Sequence, residues 1–165
     1  MSTKVKQEIL KCAKDFKYFA GKYLKIVDVQ GLETTLKLNQ AQEDILNALE
    51  SENHLMILKA RKLGSTTFIA GYYLWKALFR KNIKIAVVAH TDEASRAIFS
   101  IYQFFYQSLP NHIKVRAISD RSNVLKLATG SMVKVGTASS ESFRGQTYQY
   151  IHASEYAFWP NLDKT

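Results

Sequence analysis

The sequence predicts an α/β fold in which a mostly parallel core sheet is flanked by helices. Two observations carry that prediction. Short continuous apolar runs, of the kind buried on both faces in a parallel sheet, alternate with segments of helical period. The runs His54-Leu-Met-Ile-Leu58 and Ile83-Lys-Ile-Ala-Val-Val-Ala89 are separated by one such helical segment, as a strand–helix–strand unit requires.

Taken in order, residues 3–20 place Val5, Ile9, Leu10, Ala13, Phe16 and Phe19 at helical spacing, and Gly21 is a natural stop. Residues 25–38 read as extended, broken by Gly31. A helix begins near Asn39 or Gln40 and carries Ile45, Leu46 and Leu49. The strand at 54–58 feeds a loop at 59–67, and a helix follows from Thr66 to Arg80, rich in aromatics. After the strand at 83–89, Thr91 or Asp92 caps a helix that ends at Pro110. Further strands are expected at 113–118, 124–127 and 132–135, the last two joined through Ala128-Thr-Gly-Ser131 as a hairpin. A final strand, 148–153, ends at Ser154-Glu155.

With 165 residues, 47% hydrophobic and 22% charged, the chain is composed like one globular domain. No apolar run approaches the ~18 residues of a membrane span. The single cysteine, Cys12, excludes an intramolecular disulfide and a cysteine metal cluster; with no apolar leader at the N-terminus, this points to a reducing, intracellular setting. A net charge of +9 favours a polyanionic partner, nucleic acid before a membrane surface.

The chemistry concentrates in Lys59-Ala-Arg-Lys-Leu-Gly-Ser-Thr-Thr67. It has the layout of the phosphate-binding loop G-x-x-x-x-G-K-[ST], with Gly64 and Thr66 at the second glycine and the hydroxyl. Ser65 stands where the lysine belongs, and Lys59 where the first glycine belongs. Backbone N–H groups and the helix dipole would face phosphate, Thr66 would ligate Mg²⁺, and Lys59 or Lys62 would supply the missing cation. Arg61 could reach a γ-phosphate. The second constellation is Tyr150-Ile-His-Ala-Ser-Glu155, which puts Glu155 at the carboxyl end of a strand, where open α/β sheets bind ligands. A carboxylate there can act as general base on water, and Ser154 could hold a metal-bound water.

The ordered set Leu38-Asn-Gln-Ala-Gln42, Ala60-Arg-Lys-Leu-Gly-Ser-Thr-Thr67, Val87-Val-Ala-His90, Ser142-Phe-Arg-Gly145 and Ile151-His-Ala-Ser-Glu-Tyr-Ala-Phe-Trp159 resembles the N-terminal ATPase domain of the large terminase subunit, the DNA-packaging motor of tailed phages. The resemblance spans roughly residues 35–165, with 1–34 a helical and extended N-terminal segment. It implies a P-loop NTPase fold of the RecA/ASCE type, with ATP and Mg²⁺ as cofactors. Gln42 matches the adenine-reading glutamine, with Gln40 the alternative register and a plain helix-start glutamine the other reading. Arg61 matches the arginine acting in cis on the γ-phosphate, Lys59 a variant lysine, and Glu155 the catalytic glutamate. Ser65 and Thr67 fall within the ATP-binding loop. Arg144 matches an arginine near the nucleotide or a neighbouring subunit, and a turn arginine is the other reading. Ser154 and Ser65 depart from the commoner aspartate and lysine.

The partners implied are double-stranded DNA, a portal protein, a small terminase subunit and further copies in a ring on the capsid, in the host cytoplasm and without a membrane. The chain stops soon after a strand that should be central, so the expectation is a fragment lacking the last core strands, the coupling motif and the nuclease domain. Two rival readings stand beside this: another P-loop translocase or helicase, and a prophage remnant that binds nucleic acid without turnover.

Overall fold

The computed structural model describes residues 2–58, 63–121, 123–138 and 143–159. The N-terminal segment folds as two helices, α1 (Thr3–Lys14) and α2 (Phe16–Tyr23), where one was expected. Asp15 makes the break: its backbone is extended, and its carboxylate accepts from Tyr18 N at 2.8 Å as the N-cap of α2. Gly21 therefore lies inside α2 and does not end it. The stretch 25–38 is a small antiparallel hairpin of β1 (Lys25–Val27) and β2 (Glu33–Thr35), turned at Gly31 with φ 80°. Helix α3 (Gln40–Ser51) opens with a capping box between Asn39 and Gln42.

Helix α4 (Ser65–Phe79) is the central pillar, with Phe68, Ile69, Ala70, Tyr72, Leu74, Trp75, Ala77 and Leu78 buried, so it is wrapped on nearly every side. Full burial of a side chain such as Phe68 or Leu74 contributes about 1.5–3 kcal/mol. Phe16 of α2 sits against it, its ring 5.2 Å from Tyr72 and 5.8 Å from Phe68 in edge-on contacts. Trp75 Nε1 donates to Cys12 O at 2.7 Å, locking α4 to α1.

The main sheet has the order β4-β5-β6-β3-β7. Its core, β6 (Met132–Thr137), β3 (Lys84–Ala89) and β7 (Tyr150–Ala153), is parallel, and β4 (Ala117–Arg121) and β5 (Val124–Leu127) extend it in antiparallel fashion. The sheet is mixed, and the parallel part is the part that positions the site. Strand β3 lies between two neighbours, which explains its continuous apolar run: Ile85, Val87 and Ala89 are fully buried. Helix α5 (Asp92–Ser108), capped by Thr91, joins β3 to the antiparallel pair. Strand β4 starts at Ala117, later than the expected 113–118, because Ile113 and Lys114 turn back to Pro110 O.

One expected strand is not formed. Residues 55–58 take no regular structure, with Met56 and Leu58 exposed and Ile57 packed on the core. An extended segment gains its backbone hydrogen bonds only from a neighbour. Among the described residues β7 pairs only with β3, so its outer edge is free, yet 55–58 does not pair with it.

Candidate functional site

The short connection 80–83 returns the chain from α4 into β3. Arg80 Nη1, just past α4, donates to the Tyr150 hydroxyl at the start of β7 at 3.2 Å. Helix α4 thus runs antiparallel to the parallel strands, and its N-terminus lies at the end of the sheet where β3 and β7 finish.

That N-terminus carries the features an anion site needs. Gly64 is the N-cap with φ 67°, a left-handed conformation that favours glycine. A Cβ there would also stand 3.0 Å from Gln42 Nε2, so the position is constrained twice. The Gly64 N-cap supplies no side-chain cap and the first turn holds no acid, so among the described residues no side chain compensates the orphan N–H groups and the positive end of the dipole. Ser65 is 2% exposed, and its hydroxyl has no hydrogen-bond partner among the described residues. Thr66 and Thr67 follow on the same turn, half-buried.

Gln42 closes one side of this turn. Its Oε1 accepts from Asn39 N at 3.2 Å, and its Nε2 approaches the carbonyls of Leu63 and Gly64 at 3.4 and 3.3 Å. The amide therefore fixes the start of α3 against the loop that opens α4. A pocket of about 190 Å³ lies here, lined by Gln42, Asp44, Ile45, Ile57, Leu63 and Ser65 among others. Gln40, the alternative in register, donates to Asp44 within α3 instead.

The second part of the site comes from the sheet register. Val88 of β3 pairs with Ala153 of β7, so two residues further on His90 and Glu155 stand side by side. His90 Nδ1 lies 3.1 Å from Glu155 Oε2, at ion-pair distance but without the alignment of a hydrogen bond, and that nitrogen is shut off from solvent. Glu155 is half exposed and has φ 52°, a left-handed backbone that costs a residue with a Cβ about 1–2 kcal/mol. The strain is held by its neighbours. Ser154, buried, donates its N–H to Val88 O at 2.8 Å, and Trp159 Nε1 donates to Ser154 O at 3.1 Å.

Of the residues expected from the sequence, Gln42, Gly64 and Ser65 are brought together, and Ser154 and Glu155 stand at the same end of the sheet. Arg144 lies on an exposed turn between β6 and β7, followed by Gly145 at φ 72°. Lys59, Arg61 and Lys62 lie outside the described residues, as does Ser142. Among the described residues no group of three or more His, Cys, Asp or Glu could hold a metal, and no helix is long and apolar enough to cross a membrane. His90 had no assigned role in the sequence; the strand register that places it beside Glu155 is invisible there.

Residues 56–165 match the family described as terminase large subunit, T4-like-virus type, N-terminal. The fold is also similar to the crystal structure of the HK97 bacteriophage large terminase, with a TM-score of 0.67 at 20% identity. That likeness covers 82% of this chain and 29% of the HK97 chain.

Proposed function

Because the chain belongs to the terminase large-subunit family, T4-like-virus type, in its N-terminal part, we propose that it is the ATP-hydrolysing motor portion of a terminase that drives double-stranded DNA into a capsid. The observation that carries this reading is the N-terminus of α4, uncapped by any described side chain and with a buried Ser65 hydroxyl unpartnered among the described residues, at the end of the sheet that also presents Glu155.

The orphan N–H groups behind Gly64 would accept β- and γ-phosphate oxygens, with Ser65 and Thr67 on the same turn. Lys59 or Lys62 would neutralise them, and Arg61 would face charge that builds at the γ-phosphate. Mg²⁺ would supply charge neutralisation between those phosphates, held by the Thr66 hydroxyl and, through a water, by Ser154. This donor set fits an ion that keeps several waters and takes few protein ligands. Glu155 would accept a proton from the attacking water, its carboxylate being half exposed at the end of the sheet. Gln42 lines the adjacent pocket and is the group to read the adenine edge, after exchanging its bonds to Leu63 and Gly64 for bonds to the base. Arg144 would act at the nucleotide or across a subunit boundary.

DNA, the portal protein, the small subunit and further copies in a ring complete the proposed assembly. DNA contact would be to backbone phosphates and therefore salt-sensitive, in keeping with the net charge of +9. The test is ATP hydrolysis by the intact protein with and without DNA, beside Glu155→Ala. Turnover stimulated by DNA and abolished by the substitution supports the reading, and absence of nucleotide binding overturns it.

A further inference from the structure

We infer that His90 is a positioning residue for Glu155, holding one carboxylate oxygen so that the other faces the phosphate end of the site. The inference rests on the proposed role of Glu155 as general base.

Three observations support it. The parallel register sets His90 and Glu155 two residues past the Val88–Ala153 pair, so rigid strands fix their separation. The ring nitrogen that faces Glu155 is buried, yet no described residue gives it an aligned hydrogen bond. A solvent-excluded ring nitrogen left without a good partner is destabilising. Alignment with the carboxylate 3.1 Å away removes that cost. Third, the imidazole and the Glu155 backbone share a neighbour. The Phe158 ring lies 6.1 Å from it, and Phe158 N donates to Glu155 O at 2.9 Å, so one short turn supports both partners.

A carboxylate on a flexible side chain is a poor base unless its rotamers are restricted, and half of the Glu155 side chain is in solvent. Binding of Oε2 by His90 restricts them and leaves Oε1 to accept the proton. Catalytic hydrogen bonds are often loosely aligned until substrate tightens them. His90 acts through Glu155 and touches no reacting atom.

The experiment uses the intact protein and measures steady-state ATPase together with the affinity of a fluorescent ATP analogue. His90→Phe keeps a ring against Phe158 and removes the nitrogen; His90→Gln restores a donor. His90→Phe is expected to lower kcat about tenfold while nucleotide affinity stays within about twofold, with His90→Gln recovering part of the loss. In a Glu155→Ala background, His90→Phe is expected to have no further effect. Unchanged or faster turnover in His90→Phe, a loss carried by nucleotide affinity, or an equal loss in the Glu155→Ala background would each overturn the inference. Should His90→Phe fail to fold, His90→Asn and His90→Ala bear the same comparison. If Glu155→Ala alone keeps full turnover, the general-base reading has failed; if it is dead while His90→Phe is normal, only the role of His90 has failed.

Discussion

Replacing Ser65 by alanine should stabilise the nucleotide-free protein and weaken its hold on nucleotide. Ser65 is the first residue of α4 and 2% exposed, and its hydroxyl has no hydrogen-bond partner among the described residues. A buried hydroxyl left unpaired costs about 1–3 kcal/mol, and alanine is the better helix former by up to about 0.5 kcal/mol. The expected gain is about 1–2 kcal/mol, which for a chain of this size is a rise in Tm of roughly 2–8 °C. If that hydroxyl exists to meet a phosphate oxygen, the same change removes one hydrogen bond from the bound state. A loss of about 1–1.4 kcal/mol corresponds to five- to tenfold weaker binding. Thermal unfolding without nucleotide and titration with a fluorescent ATP analogue give the two numbers. A lower Tm would mean that the Ser65 hydroxyl is paired in the folded protein, and nucleotide affinity equal to wild type that it meets no phosphate.

Tyr102→Phe should raise stability by about 1 kcal/mol in a denaturant titration, since the Tyr102 hydroxyl is fully buried with no hydrogen-bond partner among the described residues. Gly130→Ala should destabilise by about 1–3 kcal/mol in the same assay; Gly130 has φ 81°, and a Cβ would stand 2.2 Å from Asn82 Oδ1. Glu8 gathers Lys22 at 2.8 Å and the Tyr23 and Tyr18 hydroxyls at 2.8 and 3.0 Å, and these hydrogen bonds, Lys22 first, hold its carboxyl at about 2 against an ordinary 4.5. A depressed folded-state value stabilises above the unfolded one, so this contribution is present above about pH 4.5 and fades as pH falls toward 2. Glu8→Gln should flatten the stability profile across that window in acid unfolding followed by circular dichroism. Cys12 is fully buried, and burial first, then Glu8, pushes its thiol up to about 12, so the native protein should resist iodoacetamide that labels it in denaturant.

The alternation of apolar runs with helical periods was legible because it records burial on both faces of a strand. The run at β3 was readable for that reason. The run at 54–58 has the same composition but no partner strand among the described residues, and composition does not encode pairing. The break at Asp15 was missed because the apolar spacing of α1 carries on into α2 across it; the capping bond to Tyr18 N that interrupts the helix is a local event. At the site, Gly64 and Glu155 were readable from loop spacing and strand end. His90 was not, since register decides it. Gln42 has two sequence readings, a base-reading amide and a plain helix-start glutamine, and the backbone shows it in the Asn39 capping box.

The central claim, that the sheet end beside α4 hydrolyses ATP through Glu155, is tested most directly by single-turnover hydrolysis of bound ATP by the intact protein and its Glu155→Gln variant. The variant should bind ATP with affinity within about twofold of wild type and cleave it at least a hundredfold more slowly, the scale of a lost general base. Cleavage by the variant at the wild-type rate would contradict that claim.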